Sequence, residues 1–156
     1  MLTASVDAAS KETYEQIRIN GNFDKLKENM EFAGQLRRKG ELAYFRMNFV
    51  VQKRNYKEIP DFVKWGIQIG ADEVFFTKIL NWGIYTESEF KEISMFEEDG
   101  ITPKKELQEI LDSPLMQEKI VDLGTIKYQH DTTDDINIHN YYMWELERKV
   151  PGLFTS

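Results

Sequence analysis

The sequence predicts an α/β protein in which parallel strands alternate with helices. Short apolar runs and helical patterns follow one another with a repeat of roughly 30–40 residues, about the length of one βα unit. The predicted strands are amphipathic, and their polar residues lie towards the carboxyl ends. Strands that are separated by helices pair in parallel. A doubly wound sheet, a barrel or part of a barrel would all satisfy this order.

Three strands and the first two helices follow from local signals. Apolar runs predict strands at residues 2–7, 42–52 and 74–80. Ser10 is a good N-cap for a helix that continues to about Arg18. The next helix begins near Phe23 and ends at Gly40, after a basic last turn that matches the helix dipole.

The remaining helices also begin at recognisable sequence signals. Pro60 suits the first turn of a third helix, which ends at Gly70. Residues 86–89 match a capping box, and residues 102–103 predict the start of a further helix. An aromatic-rich tail follows a capping signal at residues 134–135.

The second predicted strand shows the amphipathic alternation most clearly. One face carries Ala43, Phe45, Met47, Phe49 and Val51, and the other carries Tyr44, Arg46, Asn48, Val50 and Gln52. A strand that helices covered on both faces would be almost continuously apolar. One face is therefore expected to carry the helices and the other to be partly wet, as in the lumen of a catalytic barrel. An edge strand, or an antiparallel sheet with one face in solvent, would give the same alternation.

The composition limits the chemistry that the chain can perform. A net charge of -7 argues against binding to nucleic acid or to acidic membranes, and no apolar run approaches a membrane span. The chain has no cysteine, which excludes a disulfide, a cysteine nucleophile and a cysteine-ligated iron–sulfur cluster. The start of the chain does not resemble a signal peptide, and we expect a cytoplasmic protein.

Residues 5–18, SVDAASKETYEQIR, resemble the segment after the fourth barrel strand of radical S-adenosylmethionine (radical SAM) enzymes. In the SPASM-type members, a Ser-x-Asp strand end leads into a helix that carries Thr-Tyr-x-x-x-Arg. Residues 49–60 resemble the fifth strand with its exit loop, residues 79–83 the end of the sixth strand, and residues 106–124 the region after it. The resemblance covers about residues 2–125, and the later segments support it mainly by their order.

The resemblance implies a partial TIM-type barrel of about three parallel βα units with additional C-terminal helices. Such a barrel binds S-adenosylmethionine against a [4Fe–4S] cluster, which reduces it to a 5′-deoxyadenosyl radical. The parent enzyme would be an oxidoreductase or modifying enzyme that acts on a peptide or a small molecule.

Seven residues match the cofactor site of the family by position: Ser5, Asp7, Arg18, Val50, Gln52, Leu80 and Asn81. The serine and the aspartate would reach the ribose or amino-acid part of the cofactor. The arginine would support the cofactor carboxylate, although an exposed arginine at a helix end fits the sequence equally well. The fifth-strand and sixth-strand residues would lie near the adenine.

The cluster-binding part of the family is missing from this sequence. The Cys-x3-Cys-x2-Cys loop, the Gly-Gly-Glu-type element and the cysteines of a SPASM tail are all absent. We therefore expect residues 1–125 to be the C-terminal half of a radical SAM barrel that is inactive alone, with residues 126–156 as a helical tail packed on it. The open edges and the inner face of half a barrel favour a homo-oligomer.

Other interpretations remain open at this point. The chain could be a non-enzymatic half-barrel module that docks onto a partner enzyme, or a doubly wound ligand-binding domain whose resemblance is accidental. A cluster of histidines and aspartates between residues 130 and 139 matches no metal signature and is interpreted as a solvated loop with a helix cap.

Overall fold

Four parallel strands in the part of the chain that the structure describes form one sheet, and their order follows the chain. In a computed structural model, which describes residues 1–127, they are β1 (Leu2–Ser5), β2 (Phe45–Val51), β3 (Glu73–Lys78) and β4 (Val121–Asp122). The three predicted strands are confirmed with shorter bounds, and the two-residue β4 is an addition. The tail predicted from residue 126 lies outside the described residues, apart from its first two.

The sheet order separates two of the predicted architectures. In a doubly wound sheet the strand order reverses at a switch point. Over residues 1–127 the order β1-β2-β3-β4 contains no reversal, and every neighbouring pair is parallel. The described sheet is therefore compatible with part of an α/β barrel.

In the described part of the chain, six helices connect and flank the strands: α1 (Lys11–Ile17), α2 (Phe23–Arg38), α3 (Ile59–Ile69), α4 (Glu87–Ile93), α5 (Lys105–Leu111) and α6 (Gly124–Lys127). Short 3-10 turns lie at Tyr56–Glu58 and Pro114–Gln117. None of the helices described within residues 1–127 is long and apolar enough to cross a membrane.

The predicted helix caps are largely confirmed. The Ser10 hydroxyl accepts the Thr13 backbone N–H at the start of α1. Thr86 and Glu89 form a reciprocal capping box at α4. The helix predicted at residues 102–103 begins only at Lys105, because Pro103 pairs with Phe96 in an isolated bridge.

The hydrophobic core lies on one face of the sheet. The apolar face of β2 and residues Val74 and Phe76 of β3 are fully buried there. They pack against apolar residues of α2, α3 and α5, which are Met30, Ala33, Phe62, Val63, Leu107 and Leu111. The helix-covered face predicted from the alternation is thus confirmed.

Candidate functional site

Polar side chains occupy the sheet face opposite this core, which we call the inner face. Strand alternation and register place on it Thr3, Ser5, Arg46, Asn48, Val50, Glu73, Phe75 and Thr77. The register sets Ser5 beside Asn48, and Val50 beside Thr77. The polar face predicted from the sequence is therefore assembled from three neighbouring strands.

A buried ion pair lies in the amino-terminal half of the inner face. Arg46 is fully buried and donates two hydrogen bonds to the Glu73 carboxylate, at 2.9 and 3.0 Å. Its guanidinium carbon lies 4.5 Å from the centre of the Phe75 ring, and the Tyr44 hydroxyl also donates to Glu73. Burial and the neighbouring carboxylate raise the pKa of Tyr44 well above its usual range. The alternation in the sequence predicted that Arg46 lies on this face. Its partner Glu73 is 27 residues away in the sequence and is identified only by the fold.

A cleft of about 310 Å³ opens at the carboxyl ends of β2 and β3. It is lined by Val50, Thr77, Lys78, Ile79, Leu80, Trp82, Ile84, Tyr85 and Thr125. The Lys78 backbone N–H donates to Thr125 Oγ1 at 3.0 Å, which ties the start of α6 to the end of β3. The volume of this cleft and its mainly apolar walls suit a small organic ligand. Val50 and Leu80, two of the predicted site residues, both contribute to its walls.

Asn48 adds an unsatisfied polar group to the inner face. Its side-chain Oδ1 is buried and has no hydrogen-bond partner within residues 1–127. It precedes Val50 by two residues, so both side chains point to the same face of β2. A buried acceptor without a partner is costly, and a ligand donor would satisfy it. The sequence placed Asn48 among the polar residues near the strand ends but not in the cofactor site.

Asn81 shapes the loop that forms the outer wall of the cleft. Its Oδ1 accepts the backbone N–H groups of Gly83 at 3.0 Å and Tyr85 at 3.2 Å. Its Nδ2 donates to the Tyr85 carbonyl at 2.8 Å. Because the side chain is occupied by its own loop, Asn81 positions the neighbouring Trp82 and Tyr85 and does not line the cleft itself.

Asp7 and Arg18, both predicted to contact the cofactor, bind each other. Asp7 is buried in a left-handed conformation with φ of 64°. Its Oδ1 accepts the Val50 backbone N–H at 2.8 Å, and its Oδ2 accepts the Arg18 guanidinium. Burial raises the pKa of Asp7, although these hydrogen bonds and the arginine charge oppose the rise. Asp7 therefore fixes the end of β2, and a hydrogen bond connects it to the wall residue Val50.

Asn55 completes the junction between the ends of β1 and β2. Its fully buried side chain donates to the Asp7 carbonyl at 2.9 Å and to the Val50 carbonyl at 2.8 Å. Its Oδ1 accepts the Gln52 backbone N–H at 2.9 Å. Sequence reasoning missed this residue, because an asparagine just after a strand reads as an ordinary turn former.

Glu58 is a second residue that the sequence did not reveal. Its carboxylate accepts the backbone N–H of Ala9 at 2.6 Å and that of Ser10 at 3.1 Å, as well as the hydroxyls of Ser10 and Thr13. Burial raises the pKa of Glu58, but these hydrogen bonds outweigh burial and hold it below its usual value. Ser10 and Thr13 therefore attach α1 to the turn before α3.

Ser5 and Gln52 lie at the same carboxyl edge. Ser5 is exposed on the inner face at the end of β1, next to Asn48 in the register. Gln52 directly follows β2, and its backbone N–H and carbonyl form the turn with Asn55. The fold thus brings the predicted residues to one edge of the sheet, and it places Val50 and Leu80 alone among them in the walls of the cleft.

A larger cavity of about 490 Å³ lies along β4 and reaches the amino ends of β2 and β3. Its lining includes Tyr44, Asp72, Glu73 and Lys119. Asp72 there accepts two hydrogen bonds from Arg37, at 2.6 and 2.8 Å, and one from the Phe45 N–H at 2.8 Å. We favour the smaller cleft as the functional site, because ligands of parallel α/β proteins gather at the carboxyl edge.

The residues present do not fit an iron–sulfur cluster. The 156 residues include no cysteine, and residues 1–127 contain no group of three or more histidine, aspartate or glutamate side chains placed to hold a metal ion. A cluster of this type needs thiolate ligands.

Fold and cleft define a parallel α/β protein with a ligand-sized cleft at the carboxyl edge of its sheet. Comparison of the chain with family models, with curated proteins and with solved structures finds no match.

Proposed function

We propose that this chain is the cofactor-binding half of a radical SAM barrel and binds the adenosyl part of S-adenosylmethionine in the carboxyl-edge cleft. One observation carries the proposal. Val50 and Leu80, which the family resemblance assigns to the adenine site from separate strands, line one cleft in the fold.

The fold and the walls of the cleft support the same proposal. The parallel sheet in sequential order is compatible with a barrel segment, and the ligand edge of such folds is the edge where the cleft opens. Apolar and aromatic walls suit a flat purine. Asn48 does not line the cleft, but its Oδ1 has no hydrogen-bond partner within residues 1–127 and lies on the same face of β2 as Val50.

The proposed roles of Asp7 and Arg18 follow from their contacts. Both Asp7 carboxylate oxygens are used within the chain, so we assign this residue to holding Val50 in place and not to the ribose. Arg18 has a partly exposed guanidinium, and its role is to neutralise Asp7. Ser5 remains free to contact a ligand because it is exposed on the inner face.

The proposal limits what the chain does alone. In the complete enzyme that the family resemblance implies, the amino-acid end of the cofactor would be held by a [4Fe–4S] cluster, for which this chain has no cysteine ligands. Without that contact, affinity should come from the nucleoside alone. S-Adenosylmethionine and 5′-deoxyadenosine should therefore bind with similar, weak affinity, and methionine should not bind.

Titration calorimetry of the full chain with these three compounds tests the proposal. Leu80→Asp should weaken nucleoside binding by about tenfold or more, because it places a carboxylate in an apolar wall. Ile67→Asp is the matched control, since Ile67 is an exposed aliphatic residue of α3 outside the cleft. Absence of nucleoside binding, or binding that Leu80→Asp leaves unchanged, would refute the assignment.

A further inference from the structure

The loop after β3 exposes large apolar side chains in an ordered conformation. Trp82 is 74% exposed and Ile84 is 76% exposed, and Tyr85 lies beside them. The Asn81 side chain holds the loop closed, because it accepts two backbone N–H groups and donates one hydrogen bond to a backbone carbonyl. A fixed loop that keeps tryptophan and isoleucine in water is typical of a binding surface, and tryptophan and tyrosine often dominate binding energy.

The surroundings of this loop carry more acidic than basic side chains, although Lys78 and Lys104 also place ammonium groups there, on the carbonyls of Gly100 and Ser94. Residues 81–100 contain six carboxylates, at Glu87, Glu89, Glu92, Glu97, Glu98 and Asp99, and all six are exposed. The single basic residue of this stretch is Lys91, which forms an ion pair with Glu98. This pair also places the acidic turn at residues 97–99 against α4.

We propose that the loop at residues 81–86 and helix α4 form a docking surface for a basic segment of a partner protein that carries an aliphatic or aromatic anchor. The exposed apolar residues provide the contact for the anchor, and the carboxylates attract the basic residues around it. A second copy of this chain that docked through the same surface would set these carboxylates against one another, so a basic partner is the favoured occupant.

The docking surface borders the cleft, since Trp82, Ile84 and Tyr85 also line its outer wall. A docked segment would therefore lie at the mouth of the cleft. The inference goes beyond the proposed function and does not depend on it, because peptide binding is measured without any nucleoside.

Fluorescence anisotropy of three labelled synthetic peptides, each titrated with the full chain, tests the inference. The first peptide has arginines around two leucines, the second has glutamates in place of the arginines, and the third has glycines in place of the leucines. The first should bind about tenfold tighter than either of the others, and its affinity should fall as salt is added. Equal binding of the first two peptides, or no binding of the first, would overturn the inference.

Variants locate the bound peptide on the surface. Ile84→Ser and Glu92→Lys should each lower the affinity for the first peptide by about tenfold. Ile19→Ser and Glu41→Lys make the same kinds of change at exposed positions elsewhere and should leave the affinity unchanged. If the two pairs of variants behave alike, the peptide binds at another place and the proposed surface is wrong.

Discussion

Individual polar residues at the carboxyl edge have contacts that residue type alone could not predict. Asp7 and Arg18 were assigned to a cofactor, yet their hydrogen bonds connect β1, α1 and β2. Asn55 likewise connects the ends of β1 and β2, because it donates a hydrogen bond to the carbonyl of Asp7, which is 48 residues away in the sequence. The sequence reveals that such positions are polar, but the partner of each depends on which strands become neighbours.

Replacing Asn55 should destabilise the fold strongly. Asn55→Ala leaves the buried carbonyls of Asp7 and Val50 and the Gln52 N–H without their present partner. We expect the free energy of unfolding in urea to fall by roughly 2–4 kcal/mol. Asn29→Ala, at an exposed position of α2, is the matched control and should change it by less than about 0.5 kcal/mol. Similar effects of both variants would contradict the structural function of Asn55.

The Glu58 carboxylate should make stability depend on pH in the acid range. Its pKa is lowered from an ordinary value of 4.5, so the folded state favours the ionised form. The resulting stabilisation is complete above the unfolded pKa and is lost as the pH falls through the folded pKa. Urea unfolding should show that the free energy of unfolding of the unmodified protein exceeds that of Glu58→Gln at neutral pH. This difference should become smaller below pH 4.5. A difference that stays constant across this range would show that ionisation of Glu58 contributes nothing.

At the scale of elements, local sequence signals predicted most of the helices. They failed where contacts with distant residues determine the bounds or the existence of an element. Ser10, Thr86 and Glu89 are recognisable because a cap acts within one turn. The start of α5 was predicted too early, because Pro103 pairs with Phe96. The strand β4 has only two residues and exists through its pairing with β3, so its sequence carries no strand signal.

The contact between α2 and α3 depends on the absence of a side chain at Gly34. A Cβ atom at this position would lie 2.1 Å from the carbonyl oxygen of Ile69. Since that neighbour is backbone, the two helices would have to separate. Gly34→Ala should therefore lower the free energy of unfolding by about 1–3 kcal/mol, despite the better helix propensity of alanine.

Gln35→Ala provides the comparison for this prediction. Gln35 is the next residue of α2 and is exposed, so its replacement tests helix propensity without the contact. Urea denaturation of both variants should show destabilisation in Gly34→Ala alone. If Gly34→Ala were as stable as the unmodified protein, the helices would not be as close as the structure places them.

At the scale of the whole molecule, the alternation of strands with helices predicted the parallel sheet. The alternation of apolar and polar residues within the strands predicted its helix-covered face. It could not predict the cleft, because the cleft combines β2, β3, the loop after β3 and the start of α6. The family resemblance named Val50 and Leu80 but gave no role to Trp82 and Tyr85. Their exposure depends on a loop conformation that the Asn81 side chain fixes.

The open edge of the sheet should promote self-association. Among the strands described within residues 1–127, β1 pairs with β2 alone, and residues 1–5 contain no charged side chain or proline to protect the outer edge. Size-exclusion chromatography with light scattering should therefore show a dimer or a larger homo-oligomer that grows with concentration. A strict monomer at high protein concentration would contradict this expectation.

Mapping of nucleoside binding by backbone amide NMR tests the central claim most directly. Addition of 5′-deoxyadenosine should shift the amide signals of Val50, Thr77, Leu80 and Thr125, which surround the carboxyl-edge cleft. Signals of Tyr44 and Lys119, beside the larger cavity at the opposite edge, should stay in place. Shifts confined to the larger cavity, or no shifts at all, would contradict the proposal that this cleft binds the adenosyl group.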